Sequence, residues 1–114
     1  RGLSEIKVDF IDPAVARKLV EEEGALILDV RGEREFATGA LPGAKNIPHD
    51  DPDLIEMVAD MTSADLQKPI VVYDKVGRRA ETAKATLNKA GHKNVVNLGG
   101  VDQLKMYLEL SAEV

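Results

Sequence analysis

An α/β domain built on a mainly parallel sheet is predicted by three features of this chain. Strand-like and helix-like patterns alternate from one end to the other, as crossover-connected parallel strands require. Two short stretches, Ala25 to Val30 and Ile70 to Tyr73, are nearly continuous apolar runs, which suits strands buried on both faces. Helix punctuation falls between such runs, with Asp12-Pro13 placed to open a helix and Gly24 placed to close it. The predicted architecture has three layers: a central, mainly parallel sheet of about five strands, with helices on both faces.

The elements follow in order. Ile6 to Phe10 alternates apolar and polar residues, as a short half-exposed strand would. Asp12 as N-cap and Pro13 at the first helical position then start a helix whose apolar face is Val15, Leu19 and Val20. Ala25 to Val30 is a buried strand, and Glu33 to Ala37 makes one or two helical turns. Leu41-Pro42-Gly43-Ala44 is a turn; Asn46-Ile47-Pro48 allows only a short strand, because its proline lacks a donor. After an acidic loop from His49 to Asp53, helical spacing links Leu54, Ile55, Val58 and Met61. Ile70 to Tyr73 is the central strand. Ala80, Ala83, Leu87 and Ala90 mark a small-residue helix face that stops at Gly91. Asn94 to Leu98 is a strand, Gly99-Gly100 a turn, and Val101, Leu104 and Leu108 the inner face of a closing helix.

Composition bounds the function. The 114 residues suffice for one core without covalent staples, and 44% hydrophobic with 31% charged residues is ordinary for a globular chain. A formal charge of −5 argues against general nucleic-acid binding, which needs a basic face. No apolar stretch approaches the roughly 20 residues of a membrane span. The chain has no cysteine, which removes disulfides, thiolate metal sites and any cysteine nucleophile. His49 and His92 are the only histidines and lack metal-ligand spacing, so each is expected in a loop or at the surface, and no metal or cofactor is expected. Because the chain opens on Arg1 rather than Met, removal of an upstream segment is expected, whether signal peptide or neighbouring domain.

The segment from Ile70 to Ala80 carries the chemistry. It passes from a β-branched run through Asp74-Lys75-Val76-Gly77-Arg78-Arg79 into a helical pattern. Such a strand–loop–helix junction turns successive backbone N–H groups toward one point, forming a nest for an anion. Lys75, Arg78 and Arg79 set three cations against the one carboxylate of Asp74.

This loop resembles the active-site loop of the rhodanese-like sulfurtransferases, in which Cys is followed by two residues, Gly, one residue and Arg. Gly77 and Arg79 are in register with that pattern, and Asp74 stands at the cysteine position. Three further motifs occur in the same order. Leu28-Asp29-Val30-Arg31 with Glu35-Phe36 resembles the early strand motif. Gly39 to Ala44 with Asn46-Ile47-Pro48 resembles the second signature, with Ala40 where His is common. Val95 to Gly100 resembles the strand and paired glycines before the last helix, with Leu104 where Trp is frequent. The resemblance extends over nearly the whole chain, so residues 1–114 are expected to form one such domain.

The family's Cys thiolate accepts a sulfane sulfur from a donor such as thiosulfate and passes it on as a persulfide. A carboxylate cannot form a persulfide, so the resemblance implies a chain inactive in sulfur transfer. Its loop would bind a small oxyanion (sulfate, thiosulfate or phosphate) or a protein partner. The alternative is a sulfurtransferase whose Cys has been exchanged for Asp. Asp74 to Arg79 spans six residues, the loop length of the sulfur-transferring members; related arsenate reductases and phosphatases have a loop one residue longer.

Two readings of Asp74 follow from the residues themselves. It is a ligand-binding or alternative nucleophilic carboxylate, or it fills the nest itself by accepting loop N–H bonds and pairing with Arg79. Asp29 and Arg31, near the end of the neighbouring strand, are candidate supporting groups, with Arg31 expected to pair locally with Glu35.

Overall fold

The computed structural model describes residues 8–112. Its elements run α1 (Pro13–Glu23), β1 (Leu26–Asp29), α2 (Glu33–Ala37), β2 (Lys45–Asn46), α3 (Leu54–Met61), β3 (Ile70–Tyr73), α4 (Arg78–Lys89), β4 (Val95–Gly99) and α5 (Val101–Ala112). The sheet order is β2-β1-β3-β4 and every neighbouring pair is parallel. β1 and β3 therefore lie inside, as their unbroken apolar character requires.

Local chemistry sets the boundaries. The Asp12 carboxylate accepts the Ala14 N–H at 2.8 Å, and Pro13 occupies a position where a missing N–H costs nothing. At the other end Gly24 takes φ +65, a conformation a side chain would disfavour. Gly32 precedes α2, and the Glu35 carboxylate reaches back to its N–H at 3.1 Å.

Alternation along β1 and β3 divides the core. Leu28, Ile70 and Val72 face α3 and α4 and pack with Val58, Ala83 and Leu87. Ile27, Val71 and Tyr73 face the other way and pack with Ala16, Leu98 and Tyr107, beneath α1 and α5. Burial of each such side chain contributes about 1.5–3 kcal/mol. Helices thus cover both faces, giving the expected three layers.

Three differences from the sequence expectations have physical causes. The sheet has four strands among the described residues, because Val8 to Phe10 forms none; Ile6 and Lys7 lie outside the described residues. The short strand ahead of Pro48 comes at Lys45–Asn46, and the ladder's last donors there are Ile47 N to Asp29 O and His49 N to Val30 O, both 3.1 Å, with Pro48 unable to donate between them. Val15 (45% exposed), Ile55 and Leu108 point outward; Ala16 and Tyr107 take the inner positions, since α1 and α5 cross each other as well as the sheet. His92 lies in the loop between α4 and β4, one of the two placements expected; it is buried there, and its Nδ1 has no partner among the described residues.

Candidate functional site

The site forms where the carboxyl ends of β3 and β4 meet the start of α4, the place where open α/β sheets put their ligands. The register between β3 and β4 slips after Val72, so Tyr73 pairs with Gly99 and skips Leu98. The slip brings the β4–α5 turn against the loop. Asp74 N donates to Gly99 O at 3.1 Å, Val101 N donates to Lys75 O at 3.0 Å, and Val76 bridges Gly100. Any Cβ on Gly100 would collide with the Lys75 carbonyl, which is why a glycine belongs there. Gly77 has φ +93, and a side chain on it would strike the Phe10 ring.

Asp74 is fully buried at the centre of this loop. Its Oδ1 accepts the Gly77 N–H in a short hydrogen bond, and its Oδ2 accepts the Arg79 N–H at 2.9 Å. The Arg79 Nε lies 3.4 Å from Oδ2. A buried carboxylate is costly unless its oxygens meet donors and a cation; here each oxygen meets an N–H donor and Oδ2 also faces the Arg79 guanidinium. Both carboxylate oxygens are thus taken up by N–H donors of the loop itself.

Arg79 also reaches across to α2. Its Nη1 and Nη2 donate to the two Glu35 oxygens at 2.8 and 3.0 Å, a parallel fork between residues 44 apart in sequence. This fork, with the Gly32 N–H behind it, holds the Glu35 carboxyl down to about 2. Glu35 in turn is the main cause of the raised Arg79 pKa.

Asp29 and Arg31 form a separate unit. Asp29 is buried and receives the Arg31 Nη2 at 2.7 Å and the Arg31 backbone N–H at 2.9 Å. Arg31 also donates to Gly39 O at 2.6 Å and stacks 6.0 Å from the Tyr73 ring centroid. The bond to Asp29 raises the Arg31 pKa, while burial pushes the Tyr73 hydroxyl up. The pairing of Arg31 with Glu35 expected from their spacing is not made: each takes a different partner. No hydrogen bond or ion pair among the described residues joins Asp29 or Arg31 to Asp74. The pair fixes the turn after β1 rather than the loop after β3.

The three cations of the loop separate. Arg79 turns inward to Asp74 and Glu35, while Lys75 and Arg78 are exposed with no ion pair among the described residues. No group of three or more potential metal ligands exists among the described residues.

Sequence reasoning passed over one residue that orders the loop. Asn97 is buried in β4; its Nδ2 donates to Gly77 O at 2.9 Å and to Glu81 Oε1 at 3.1 Å, and its Oδ1 accepts the Gly99 N–H at 2.9 Å. The available signal was a lone amide inside the apolar run from Val95 to Leu98, since a buried polar side chain must find partners.

Known proteins are similar to this chain in sequence and fold. A thiosulfate sulfurtransferase, GlpE, of Pseudomonas aeruginosa is 34% identical over 91 residues, covering 79% of this chain and 76% of that protein. A tRNA uridine(34) hydroxylase of Erwinia tasmaniensis is 30% identical over 92 residues, covering 80% of this chain. The chain spans about a quarter of the length of such hydroxylases, 26% in this case. Among solved structures, a rhodanese with anions from E. coli superposes with a TM-score of 0.63 at 29% identity, covering 69% of this chain and 89% of that one. A human single-domain sulfurtransferase has the same fold, with a TM-score of 0.69 at 23% identity over 88% of this chain and 97% of that one. No helix of the described residues is long and apolar enough to cross a membrane. The family profile for the rhodanese-like domain matches residues 12–106, and with that span and these relatives the chain belongs to the rhodanese-like domain family.

Proposed function

We propose that this chain is a rhodanese-like domain inactive in sulfur transfer, in which Asp74 stands at the position of the nucleophilic Cys and residues 1–114 act as one module. Its loop, Asp74 to Arg79, serves as an anion-binding or protein-interaction surface. The observation that carries the reading is the burial of the Asp74 carboxylate with both oxygens on loop donors, Gly77 N–H and Arg79 N–H. In a sulfurtransferase of this family those donors would face the anionic persulfide. Here a fixed side-chain anion takes them. A carboxylate oxygen offers no thiolate to attack a sulfane sulfur, and no other residue of the chain supplies one.

The test is thiocyanate formation from thiosulfate and cyanide. The parent chain is expected to match the uncatalysed background at every protein concentration. Thiocyanate that rises in proportion to a pure preparation would overturn the reading. Asp74→Cys supplies the converse arm: a helix N-terminus beside basic groups lowers a thiol pKa, so the variant should gain one sulfur atom by intact mass after incubation with thiosulfate. A folded variant that never gains it would show that the loop has lost the geometry for persulfide.

A further inference from the structure

We propose that the face made by the loop tip Lys75-Val76 and the first turn of α5 docks on the same face of a second copy of this chain, forming a two-fold dimer. The proposal rests on the reading of the loop as an interaction surface and names its partner.

A groove of about 340 Å³ lies beside the loop, lined by Phe10, Lys75, Val76, Val101, Asp102 and Gln103. That volume is at the small end for ligand sites and suits one or two side chains rather than a cofactor. Its apolar walls stand in solvent: Val76 is 61% exposed, Val101 44% and Phe10 37%. Covering them removes apolar area from water. The frame beneath is already tied down. Val76 is bridged to Gly100, the Lys75 carbonyl accepts the Val101 N–H at 3.0 Å, and the Gln103 Oε1 accepts the Gly100 N–H at 3.0 Å. Docking therefore has little backbone to order.

The lining selects a second copy. A two-fold interface is one patch meeting itself, so the patch must carry both halves of every contact. This one does. Among the described residues the groove is lined by one cation, Lys75, and one carboxylate, Asp102. Both are exposed, and neither is in an ion pair among the described residues, with the other or elsewhere. Across a two-fold axis, Lys75 of each copy meets Asp102 of the other. Val76, the most exposed large apolar side chain among the described residues, stands at the edge of the recess and supplies the knob for the recess opposite. An acidic occupant would oppose Asp102, and a basic one would oppose Lys75. On a chain of formal −5 this lining is locally neutral, so two copies meet there without adding local repulsion. A face built on one groove is smaller than permanent dimers use, so the expected dissociation constant is about tens to hundreds of micromolar.

The experiment is sedimentation equilibrium of the full chain from micromolar to millimolar concentration, with amide NMR spectra over the same range. Reversible dimerisation is expected, with concentration-dependent shifts centred on Lys75, Val76 and Val101 to Gln103. Val76→Asp should weaken it at least about tenfold, and Lys75→Asp or Asp102→Lys alone about three- to tenfold, since each reversal sets two like-charge contacts across the axis. The pairing of Lys75 with Asp102 makes two further demands. An equimolar mixture of Lys75→Asp and Asp102→Lys chains should form a heterodimer more tightly than either variant self-associates. Both reversals in one chain should restore self-association to within about threefold of the parent. Val76→Ser, which adds no charge, keeps the test open should Val76→Asp unfold the loop. The proposal is overturned by a chain that stays monomeric at millimolar concentration, by shifts that cluster elsewhere, or by self-association indifferent to the Val76 substitutions or to the charge reversals. Reversals that neither the mixture nor the double variant repairs overturn it too, as do concentration-independent contacts from residues 1–7 into the groove. The thiocyanate assay is independent of these outcomes, so self-association can fail while the chain remains inactive, and the two failures are distinguishable.

Discussion

Replacing Asp74 with Ala should weaken folding and open an anion site at the same time, and the two effects are linked. The side chain is fully buried and accepts two backbone N–H groups, from Gly77 and Arg79. Removing it leaves two donors without an acceptor, each worth about 1–3 kcal/mol when buried, although the partly exposed Arg79 side lets water relieve one of them. Arg79 keeps its fork to Glu35 at 2.8 and 3.0 Å, so no orphaned guanidinium adds to the cost. The expected loss is about 2–4 kcal/mol, and with a urea m-value of order 1.5–2 kcal/mol/M the midpoint should fall by about 1–2.7 M. A domain with stability of about 5–15 kcal/mol survives that loss.

The same two donors, now facing an empty recess beside Arg79, should accept an oxyanion. Charge-assisted bonds contribute about 1.5–3 kcal/mol each, and the negative charge that repelled an incoming anion is gone. Sulfate, thiosulfate or phosphate should bind Asp74→Ala at least about tenfold more tightly than the parent, a difference of about 1.4 kcal/mol. Amide shifts from Lys75 to Arg79 measure the affinity directly, and urea unfolding with and without sulfate at constant ionic strength measures its linkage to stability. Sulfate at ten times its Kd should restore about 1.4 kcal/mol to the variant. If the parent binds these anions equally well or better, or if sulfate stabilises both proteins alike, Asp74 is not occupying the anion site and the account of the loop fails.

Two pH-dependent predictions follow from the same structure. Burial lowers the His92 pKa in the folded state, so as pH falls below the usual value near 6.5 the unfolded chain takes up a proton first and stability declines until the lowered folded value is reached. Urea midpoints measured between pH 7.5 and 5 should show this slope in the parent and lose it in His92→Gln; an identical slope in both would exclude His92 as the source. Glu35, held at about 2 by Arg79 and the Gly32 N–H, should contribute fully above its ordinary value near 4.5 and lose that contribution as pH drops toward 2. Carboxyl NMR should place its midpoint there, and a midpoint near 4.5 would mean that the fork to Arg79 does not persist in solution.

Much of the fold was legible because it is decided locally. Asp12, Pro13 and Gly24 mark α1 by what their own backbones can and cannot do, and the run through Leu28 has nowhere to go but a sheet interior. The loop was legible for the same reason, as a strand ending against a Gly77 that takes φ +93 and opens a helix. Helix faces were less so. Val15 and Leu108 fit a helical apolar stripe, but the mutual packing of α1 and α5 turned Ala16 and Tyr107 inward, and that choice is tertiary. Nothing local distinguishes Arg31 from Arg79 as the partner of Glu35. The 44-residue separation of the true pair is bridged only because α2 and α4 both start at the carboxyl edge of the sheet. His92 sits in a loop, as its place after a helix stop suggests, but its burial is tertiary, because the chain returns directly into β4.

A nest of N–H groups at a helix start needs an anion, and the source of that anion decides how the loop behaves. Where the anion is the sulfur of a cysteine, as thiolate or persulfide, the nest faces a group that changes during turnover. In this chain the charge is a side chain, fixed by Gly77 and Arg79 and supported from α2 by Glu35 through Arg79. Asn97 ties the same turn to β4 from below through Gly77 O at 2.9 Å. The buried donors of the loop are consequently met by the chain's own side chain. On the proposed reading, a loop built around a reacting sulfur has become a binding loop built around a side-chain carboxylate. The Asp74→Ala titration tests that argument.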